Sequence, residues 1–245
     1  MPQSAVHKHP AIRKILDPLV PPLCPLCYHP VEEDHTLCAA CWPKVDFISA
    51  PFCYGCGQPL ECAALPHILC GRCLKDPFPF EEARSVFYYN PTVRPLILRF
   101  KYADATYLAA SFARWMSWDQ RYLKDVDAVV PVPLHWRRLW RRGFNQAALL
   151  AKEISHHIDI PFLPHALKRI KSTPSQGTLS KEQRTQNLRR AFVVPEKERT
   201  HIQGKTILLV DDVMASGATL RFCADALLTA GAKRVKVKVV CKSTI

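Results

Sequence analysis

The chain has 245 residues, enough for one substantial hydrophobic core and a small additional module. Its 34 Lys and Arg exceed its 21 Asp and Glu and give a formal net charge of +13, which favours a polyanionic partner such as a nucleic acid or a pyrophosphate-bearing substrate. No apolar run approaches the ~20 residues that cross a bilayer, and residues 1–23 lack the apolar core of a signal peptide. We therefore expect a cytoplasmic protein with no membrane insertion, whose 11 cysteines stay reduced rather than forming a disulfide framework.

A short amphipathic helix is predicted over Ala11–Leu19, and eight cysteines follow it in four pairs of the form Cys-x-x-Cys. Ten residues separate the first pair from the second, and thirteen separate the third from the fourth. Two residues between thiolates let both reach one tetrahedral ion, and two such pairs complete a four-cysteine zinc site that has no open position for a substrate. The pairs are Cys24/Cys27, Cys38/Cys41, Cys53/Cys56 and Cys70/Cys73.

This spacing predicts two structural zinc ions, the first held by the first two pairs and the second by the last two. An interleaved arrangement, in which the first pair joins the third and the second joins the fourth, also satisfies the spacing. Because a module of about fifty residues has little core of its own, the metal would supply much of its folding free energy. Cys62, Cys223 and Cys241 have no partner at this spacing and are interpreted as small hydrophobic residues.

The segment Pro77–Phe80 is interpreted as a linker between an N-terminal segment with a double zinc ribbon, residues 1–76, and a second domain, residues 77–245. Beyond it, apolar runs alternate with segments whose apolar residues recur at helical spacing, which predicts an α/β fold with a parallel sheet flanked by helices. The predicted strands are Arg84–Tyr89, Val126–Val130, Thr206–Val210 and Val235–Val240, and the predicted helices are Pro91–Lys101, Leu108–Trp118, Asn145–Ile158 and Leu220–Ala230.

The densest positive charge follows the second predicted strand. Residues 134–190 contain twelve Lys or Arg and three Asp or Glu, a local net charge of +9. Three interpretations stay open: arginines that hold pyrophosphate oxygens, arginines and tryptophans that grip single-stranded nucleic acid, or a solvated helix face with both tryptophans in the core. The cluster consists of Trp136, Arg137, Arg138, Trp140, Arg141 and Arg142.

A polar stretch at Thr173–Ser180 precedes a helix predicted over Lys181–Arg190, with Ser180 as its cap. Small polar residues flanked by proline are typical of a mobile loop that closes over a reactive intermediate, and equally of an ordinary surface loop.

The stretch Ile207–Thr219 carries the strongest functional signal. Four apolar residues run directly into Asp211 and Asp212, a short loop of small residues follows, and a helix then begins. Ligands of parallel α/β sheets bind at the carboxyl ends of strands, and backbone N–H groups at a helix N-terminus bind anions. The carboxylates would repel a phosphate but suit neighbouring sugar hydroxyls or a metal ion, so the pattern predicts a ribose 5-phosphate site.

The same stretch closely resembles the thirteen-residue signature of type I phosphoribosyltransferases, which bind phosphoribosyl pyrophosphate (PRPP) together with Mg²⁺. The resemblance implies that Asp211 and Asp212 bind the ribose 2- and 3-hydroxyls. At the position of Ala215 some purine-salvage members carry an Asp that acts as a base; alanine cannot accept a proton, so no catalytic residue is assigned. The residues implied to hold the 5-phosphate are Ala215, Ser216, Gly217, Ala218 and Thr219.

Nearly the whole chain resembles the ComF family, competence-associated proteins with a phosphoribosyltransferase-like domain. The resemblance rests on the cysteine pairs, Phe100–Tyr102, Pro131–Leu134, Arg142–Gln146, the stretch from Thr173 to Asn187 and the final signature. It implies a role in the uptake or use of external DNA on the cytoplasmic side of the membrane. By position it also implies a pyrophosphate loop and a phosphate-facing lysine; the residues expected at phosphate are Lys101, Val132, Pro133, Leu134 and Arg142.

Two function hypotheses follow. In the first, the protein is an enzyme that binds Mg-PRPP and transfers its ribosyl group. In the second, the fold is a non-catalytic module whose pocket binds a related nucleotide or a DNA 5-phosphate and whose basic surface binds single-stranded DNA or, as a scaffold, recruits DNA-import proteins. The residues expected to contact DNA are Trp136, Arg137, Arg138, Trp140 and Arg141.

Overall fold

The computed structural model describes residues 21–61, 67–103, 105–171 and 191–243. The chain divides into two compact units, residues 1–45 and residues 46–245. The helix expected over Ala11–Leu19, the polar stretch Thr173–Ser180, the helix expected over Lys181–Arg190 and Cys62 lie outside the described residues. Within the described ranges, every helix is too short or too polar to cross a membrane.

In the first unit, the described chain folds around its two cysteine pairs. Backbone bonds join Cys24 N–H to the carbonyl of His29 and Tyr28 N–H to the carbonyl of Cys24, which closes the turn around the first pair. The second pair leads into a 3₁₀ turn over Trp42–Lys44. Three of the four cysteine side chains are buried although so little other apolar surface surrounds them, as expected of a metal-stabilised ribbon.

A four-stranded parallel sheet forms the centre of the second unit, in the order β1–β6–β5–β2. Most residues of each strand are buried, because strands of a parallel sheet are covered on both faces. The strands are β1 (Glu82–Tyr88), β2 (Ala128–Pro131), β5 (Thr206–Met214) and β6 (Arg234–Lys242), and a separate antiparallel pair consists of β3 (Lys168–Arg169) and β4 (Phe192–Val193).

Helices cover both faces of this sheet. Helix α6 (Gln146–Ile158) packs on β2 and β5, α3 (Leu108–Met116) packs on α6, and α7 (Ala218–Thr229) packs against β5 and β6. A 3₁₀ segment, Glu196–His201, precedes β5. The helices are α1 (Gly71–Lys75), α2 (Arg94–Tyr102), α3 (Leu108–Met116), α4 (Gln120–Leu123), α5 (Trp136–Arg142), α6 (Gln146–Ile158) and α7 (Ala218–Thr229).

The strands and helices predicted within the described residues are all present, with shifted ends. The largest shift concerns β5, which continues beyond Val210 to Met214, so both acids of the signature belong to the strand. Helix α7 begins at Ala218 rather than Leu220. These two extensions shorten the loop between strand and helix to three residues, Ala215 to Gly217, and the acids and the helix N-terminus line the same cavity.

The second cysteine group is part of this unit's core. Cys53, Cys56 and Cys73 belong to the same cluster of buried residues as Phe80 and Met214. Residues 46–48 also bond to β1, through Ile48 N–H to the Val86 carbonyl and through the Asp46 carbonyl, which accepts from Tyr88 N–H. The chain on both sides of these cysteines is therefore anchored to the sheet.

Candidate functional site

A cavity of about 340 Å³ opens at the carboxyl ends of β2 and β5. It brings together the acid pair, the small loop, the loop after β2 and several cations. The lining residues are Lys101, Tyr102, Val132, Pro133, Leu134, Arg138, Arg142, Asn145, Gln146, Ala147, Arg169 and residues 211–220. All residues assigned from the sequence to PRPP and to phosphate lie in this set.

The two acids of the signature have different partners. The Lys101 ammonium lies 3.2 Å from Oδ1 of Asp212. Asp211 instead accepts a hydrogen bond at Oδ1 from the backbone N–H of Asp212, at 2.9 Å. One carboxylate is therefore balanced by a lysine, while the other is held by a neutral donor and stands at the cavity wall.

This difference perturbs the protonation of Asp211. Burial, followed by the negative charge of Asp212, raises the pKa of Asp211 from its ordinary 3.8 to about 7, against the opposing effects of the Asp212 N–H, Lys101 and Arg142. Titratable groups with strongly shifted pKa values in a cleft mark functional sites, because stability alone selects against them. A ligand hydroxyl that donates to this carboxylate would stabilise its charged form.

The loop after β5 turns the backbone so that α7 begins over the cavity. Gly217 adopts φ +77°, and a Cβ at this position would lie 2.7 Å from Cε1 of Phe78 and 2.8 Å from Cε of Met214. Glycine is thus required both for the left-handed conformation and for the space. The first N–H groups of α7 have no carbonyl ahead of them in the helix, and together with the loop N–H groups they form an anion-binding end.

The motif Arg142–Gln146 joins the segments that surround the cavity. Gly143, at φ +81°, ends α5, and the Asn145 side chain caps α6 by accepting from Ala147 N–H at 3.1 Å. The Asn145 amide donates to the Val132 carbonyl at 3.1 Å, and the Gln146 amide donates to the Lys101 carbonyl at 3.4 Å. Two side chains of one motif therefore fix the loop after β2 and the end of α2 against each other.

Three arginines also line the cavity. Arg142 donates to Oε1 of Gln146 at 2.6 Å and lies over the Tyr102 ring, 5.0 Å from its centroid. Arg138 lies one helical turn earlier and also faces the cavity. Arg169 reaches the same space from β3. No motif in the sequence marks Arg169, because its position depends on a two-residue strand pairing with β4.

Helix α5 divides the arginine and tryptophan cluster. Arg138 and Arg142 line the cavity, whereas Arg137, Arg141, Trp136 and Trp140 do not. The indoles are 63% exposed at Trp136 and 88% exposed at Trp140. The interpretation that both tryptophans belong to the core is therefore wrong: the helix has only seven residues, and none of its side chains is buried.

The eight paired cysteines form two clusters, and the sulfur atoms within each lie within 4.8 Å of one another. Sequential pairing is confirmed, and interleaved pairing is excluded. Four thiolates around Zn²⁺ at 2.3 Å would place neighbouring sulfurs about 3.8 Å apart, and Sγ of Cys56 lies 3.8 Å from Sγ of Cys70. The residues thus fit two structural zinc ions; the clusters are Cys24, Cys27, Cys38 and Cys41, and Cys53, Cys56, Cys70 and Cys73.

Two family patterns match the chain. That of the double zinc ribbon domain matches residues 15–76, which contain both clusters, and that of the phosphoribosyl transferase domain matches residues 141–244, which contain the acid pair and its loop. The predicted fold class, a transferase-like parallel sheet with an N-terminal zinc-ribbon module, is confirmed.

Characterised relatives resemble the chain over most of its length. The DNA utilization protein YhgH of Escherichia coli (strain K12) is 33% identical over 231 residues, which cover 91% of this chain and 98% of the relative. Competence protein F of Haemophilus influenzae is 34% identical over 207 residues, 82% of this chain and 88% of the relative. A solved glutamine PRPP amidotransferase from B. subtilis superposes with a TM-score of 0.41 at 19% identity, over 58% of this chain and 30% of that one.

Proposed function

The chain belongs to the ComF family of competence and DNA-utilisation proteins, and from this premise we propose that it binds Mg-PRPP in the cavity at the end of β5 and acts in the uptake or utilisation of external DNA. One observation carries the proposal: an acid pair and a helix N-terminus line the same cavity of about 340 Å³. The acids suit sugar hydroxyls and the helix end suits a phosphate, and a ribose 5-phosphate has both groups.

In the proposed complex, Asp211 and Asp212 accept hydrogen bonds from the ribose 2- and 3-hydroxyls. The N–H groups of residues 215–219 bind the 5-phosphate. The pyrophosphate lies toward Val132–Leu134, where Lys101 and Arg142 offset its charge. Magnesium, held chiefly by oxygens of PRPP itself, would neutralise further charge on the pyrophosphate.

Ribosyl transfer in this site would rest on electrostatics. The bond between ribose C1 and the pyrophosphate oxygen breaks, the electron pair leaves with pyrophosphate, and the acceptor's lone pair forms the new bond to C1. The cations on the cavity wall stabilise the leaving group. Ala215 offers no proton acceptor beside the ribose, so the acceptor would lose its proton to solvent or react without a base.

Isothermal titration calorimetry with PRPP and Mg²⁺ on zinc-loaded protein tests the binding step. We expect a micromolar Kd for the unmodified chain and no measurable binding for the double variant Asp211→Asn with Asp212→Asn. The control is Asp159→Asn, an exposed site at the end of α6 where the left-handed conformation also suits asparagine. Normal binding by the double variant would refute the site.

A second activity, binding of single-stranded DNA, is favoured by the exposed aromatic surface of α5. Trp136 and Trp140 stand in solvent between arginines, and the Arg137 guanidinium lies over the Trp136 ring at 5.2 Å. Bases stack on such rings while arginines contact phosphates, and each stacked base contributes about 1–3 kcal/mol.

Fluorescence anisotropy with a labelled oligonucleotide tests this second activity. Trp140→Ala should weaken DNA binding by about tenfold and leave its salt dependence unchanged. Arg141→Gln should instead lower the slope of log K against log salt by about one phosphate contact. Trp118→Ala, a second exposed tryptophan outside α5, is the matched control. Equal effects of the two tryptophan substitutions would refute the assignment to α5.

A further inference from the structure

We propose that Arg72 and Lys242 are positioning residues through which the second zinc cluster, Cys53, Cys56, Cys70 and Cys73, sets the orientation of the phosphate-binding loop 215–217. The ligand, a 5-phosphate, is taken from the proposed function, but the contacts between the cluster side and the loop do not depend on it. It assigns the second cluster a role in ligand binding beyond holding the local fold together.

Arg72 lies between two metal ligands. It lies in α1, which follows Cys70 and contains Cys73. Its guanidinium Nη2 donates to the Ser216 carbonyl at 2.5 Å. A helix of five residues is too short to be stable alone, so metal coordination by Cys70, which precedes α1, and by Cys73, at its centre, would keep α1 in place. Zinc would therefore determine where the guanidinium lies.

Lys242 contacts the same loop from the end of β6. Its side chain is buried, with the residue 3% exposed, and its ammonium donates to the Ala215 carbonyl at 3.1 Å and to the Ser243 carbonyl at 2.8 Å. The thiols of Cys56, Cys70 and Cys73 lie close enough to act on this ammonium electrostatically. Four thiolates around one Zn²⁺ carry a net charge of −2, which favours a buried cation between the cluster and the loop.

These two contacts orient the N–H groups that a phosphate needs. In a trans peptide the carbonyl of one residue and the N–H of the next point in opposite directions. The Ala215 and Ser216 carbonyls face the cations on the cluster side, so the N–H groups of Ser216 and Gly217 point the other way. Because carbonyls facing the ligand would repel a phosphate, this orientation is a condition for binding.

The chain after the last cysteine completes the support. Phe78 packs directly against Gly217 and stacks on Phe80, with ring centroids 4.6 Å apart. Arg221, in the first turn of α7, bonds to the Pro77 carbonyl at 2.9 Å and pairs with Asp76 at 2.9 Å. One continuous segment, residues 72–80, thus contacts both loop 215–217 and the first turn of α7.

Hydrogen–deuterium exchange of the ligand-free protein tests the coupling without relying on PRPP. In Arg72→Ala we expect the peptide covering residues 211–221 to exchange about tenfold faster, with unchanged exchange over β2 and α6. Lys75→Ala, a second exposed cation of α1, is the matched control and should exchange like the unmodified chain. Zinc content, measured by a colorimetric chelator, should remain two ions per chain in all three proteins.

Calorimetry then resolves which part of the ligand is affected. Arg72→Ala should weaken ribose 5-phosphate and PRPP by the same factor, about tenfold, and leave inorganic pyrophosphate unchanged, whereas Arg72→Lys should recover part of the loss. Unchanged exchange over residues 211–221 in Arg72→Ala would overturn the inference. If exchange is faster in Arg72→Ala but the unmodified protein binds neither PRPP nor ribose 5-phosphate, the proposed function is refuted and the coupling between the cluster and the loop is still supported.

Discussion

Replacing Asp211 by Asn should stabilise the folded protein at alkaline pH while removing PRPP binding. In the unfolded chain this carboxyl ionises near its ordinary pKa of 3.8, whereas in the folded protein burial and the charge of Asp212 raise its pKa to about 7. Between these values the folded state holds one more proton than the unfolded state, so this group makes stability fall as pH rises from about 4 to 7. Asparagine carries no charge and abolishes that loss.

The size of the effect follows from the shift. The difference between 3.8 and about 7 corresponds to about 4 kcal/mol as an upper bound, and solvent in the open cavity screens part of the charge. We expect about half, ~2 kcal/mol, or ~4–8 °C in Tm for a chain of this length. The amide oxygen of asparagine can still accept the Asp212 N–H bond, which Asp211 now accepts at 2.9 Å, so the substitution changes charge and little else.

Thermal unfolding at two pH values is the assay. At pH 8 the variant should melt above the unmodified chain, and at pH 5.5, about midway between the two pKa values, the gap in Tm should shrink to about half, because there the carboxyl is ionised in the unfolded chain and protonated in the folded protein. Zinc content must be equal in both samples at each pH, because thiolate ligands also bind protons. A gap in Tm that is the same at both pH values, or a less stable variant at pH 8, would refute the reasoning.

Three further predictions concern the loop, the α5–α6 junction and the metal. Gly217→Ala should lower the unfolding free energy by about 2–4 kcal/mol, because backbone strain adds to the clash with Phe78. Gly143→Ala, also at positive φ but with open space around its Cβ, should lower it by only about 1 kcal/mol. Urea denaturation measures both differences. Asn145→Ala should lower the unfolding free energy by about 1–2 kcal/mol, because α6 loses its cap, and should also weaken PRPP binding in calorimetry, because the bond to the Val132 carbonyl is lost. A loss of stability with unchanged affinity would contradict the idea that Asn145 positions the loop after β2. Cys24→Ser should lower bound zinc from two ions per chain to one, and Cys223→Ser, outside the clusters, should leave two.

The local parts of the site could be predicted from the sequence because their chemistry lies in short continuous stretches. The acid pair follows an apolar run, and the cysteine pairs repeat at ligand spacing, so the strand, the loop and the eight metal ligands follow from the sequence, whereas the choice between sequential and interleaved pairing needed the structure. Arg169 could not be found, since only the pairing of β3 with β4 carries it to the cavity. Whether Trp136 and Trp140 are buried could not be predicted either, because the sequence of a seven-residue helix does not show whether another element packs over its indoles.

The lysines of β6 also could not be placed from the sequence, because their burial depends on partners from other elements. Lys236 and Lys238 alternate with valines and suggest a strand with one solvated face, yet both are buried. The Lys236 ammonium bonds to the Tyr122 carbonyl at 3.0 Å and pairs with Glu82 at 3.6 Å. Partners supplied by β1 and by the region around α4 make this burial possible, and a pattern of single residues does not contain that information.

The two zinc ribbons share the same pattern of cysteine pairs but differ in how they join the fold, and this difference bears on how the protein should be truncated. The first forms a compact unit that ends at Val45, whereas three cysteines of the second lie among the buried residues around the sheet. A fragment that starts at Asp46 keeps that packing and the contacts of Arg72, Phe78 and Lys242 with loop 215–217. A fragment that starts at Pro77 loses three cysteines of the buried cluster, so we expect the smallest stable transferase-like fragment to include the second zinc cluster.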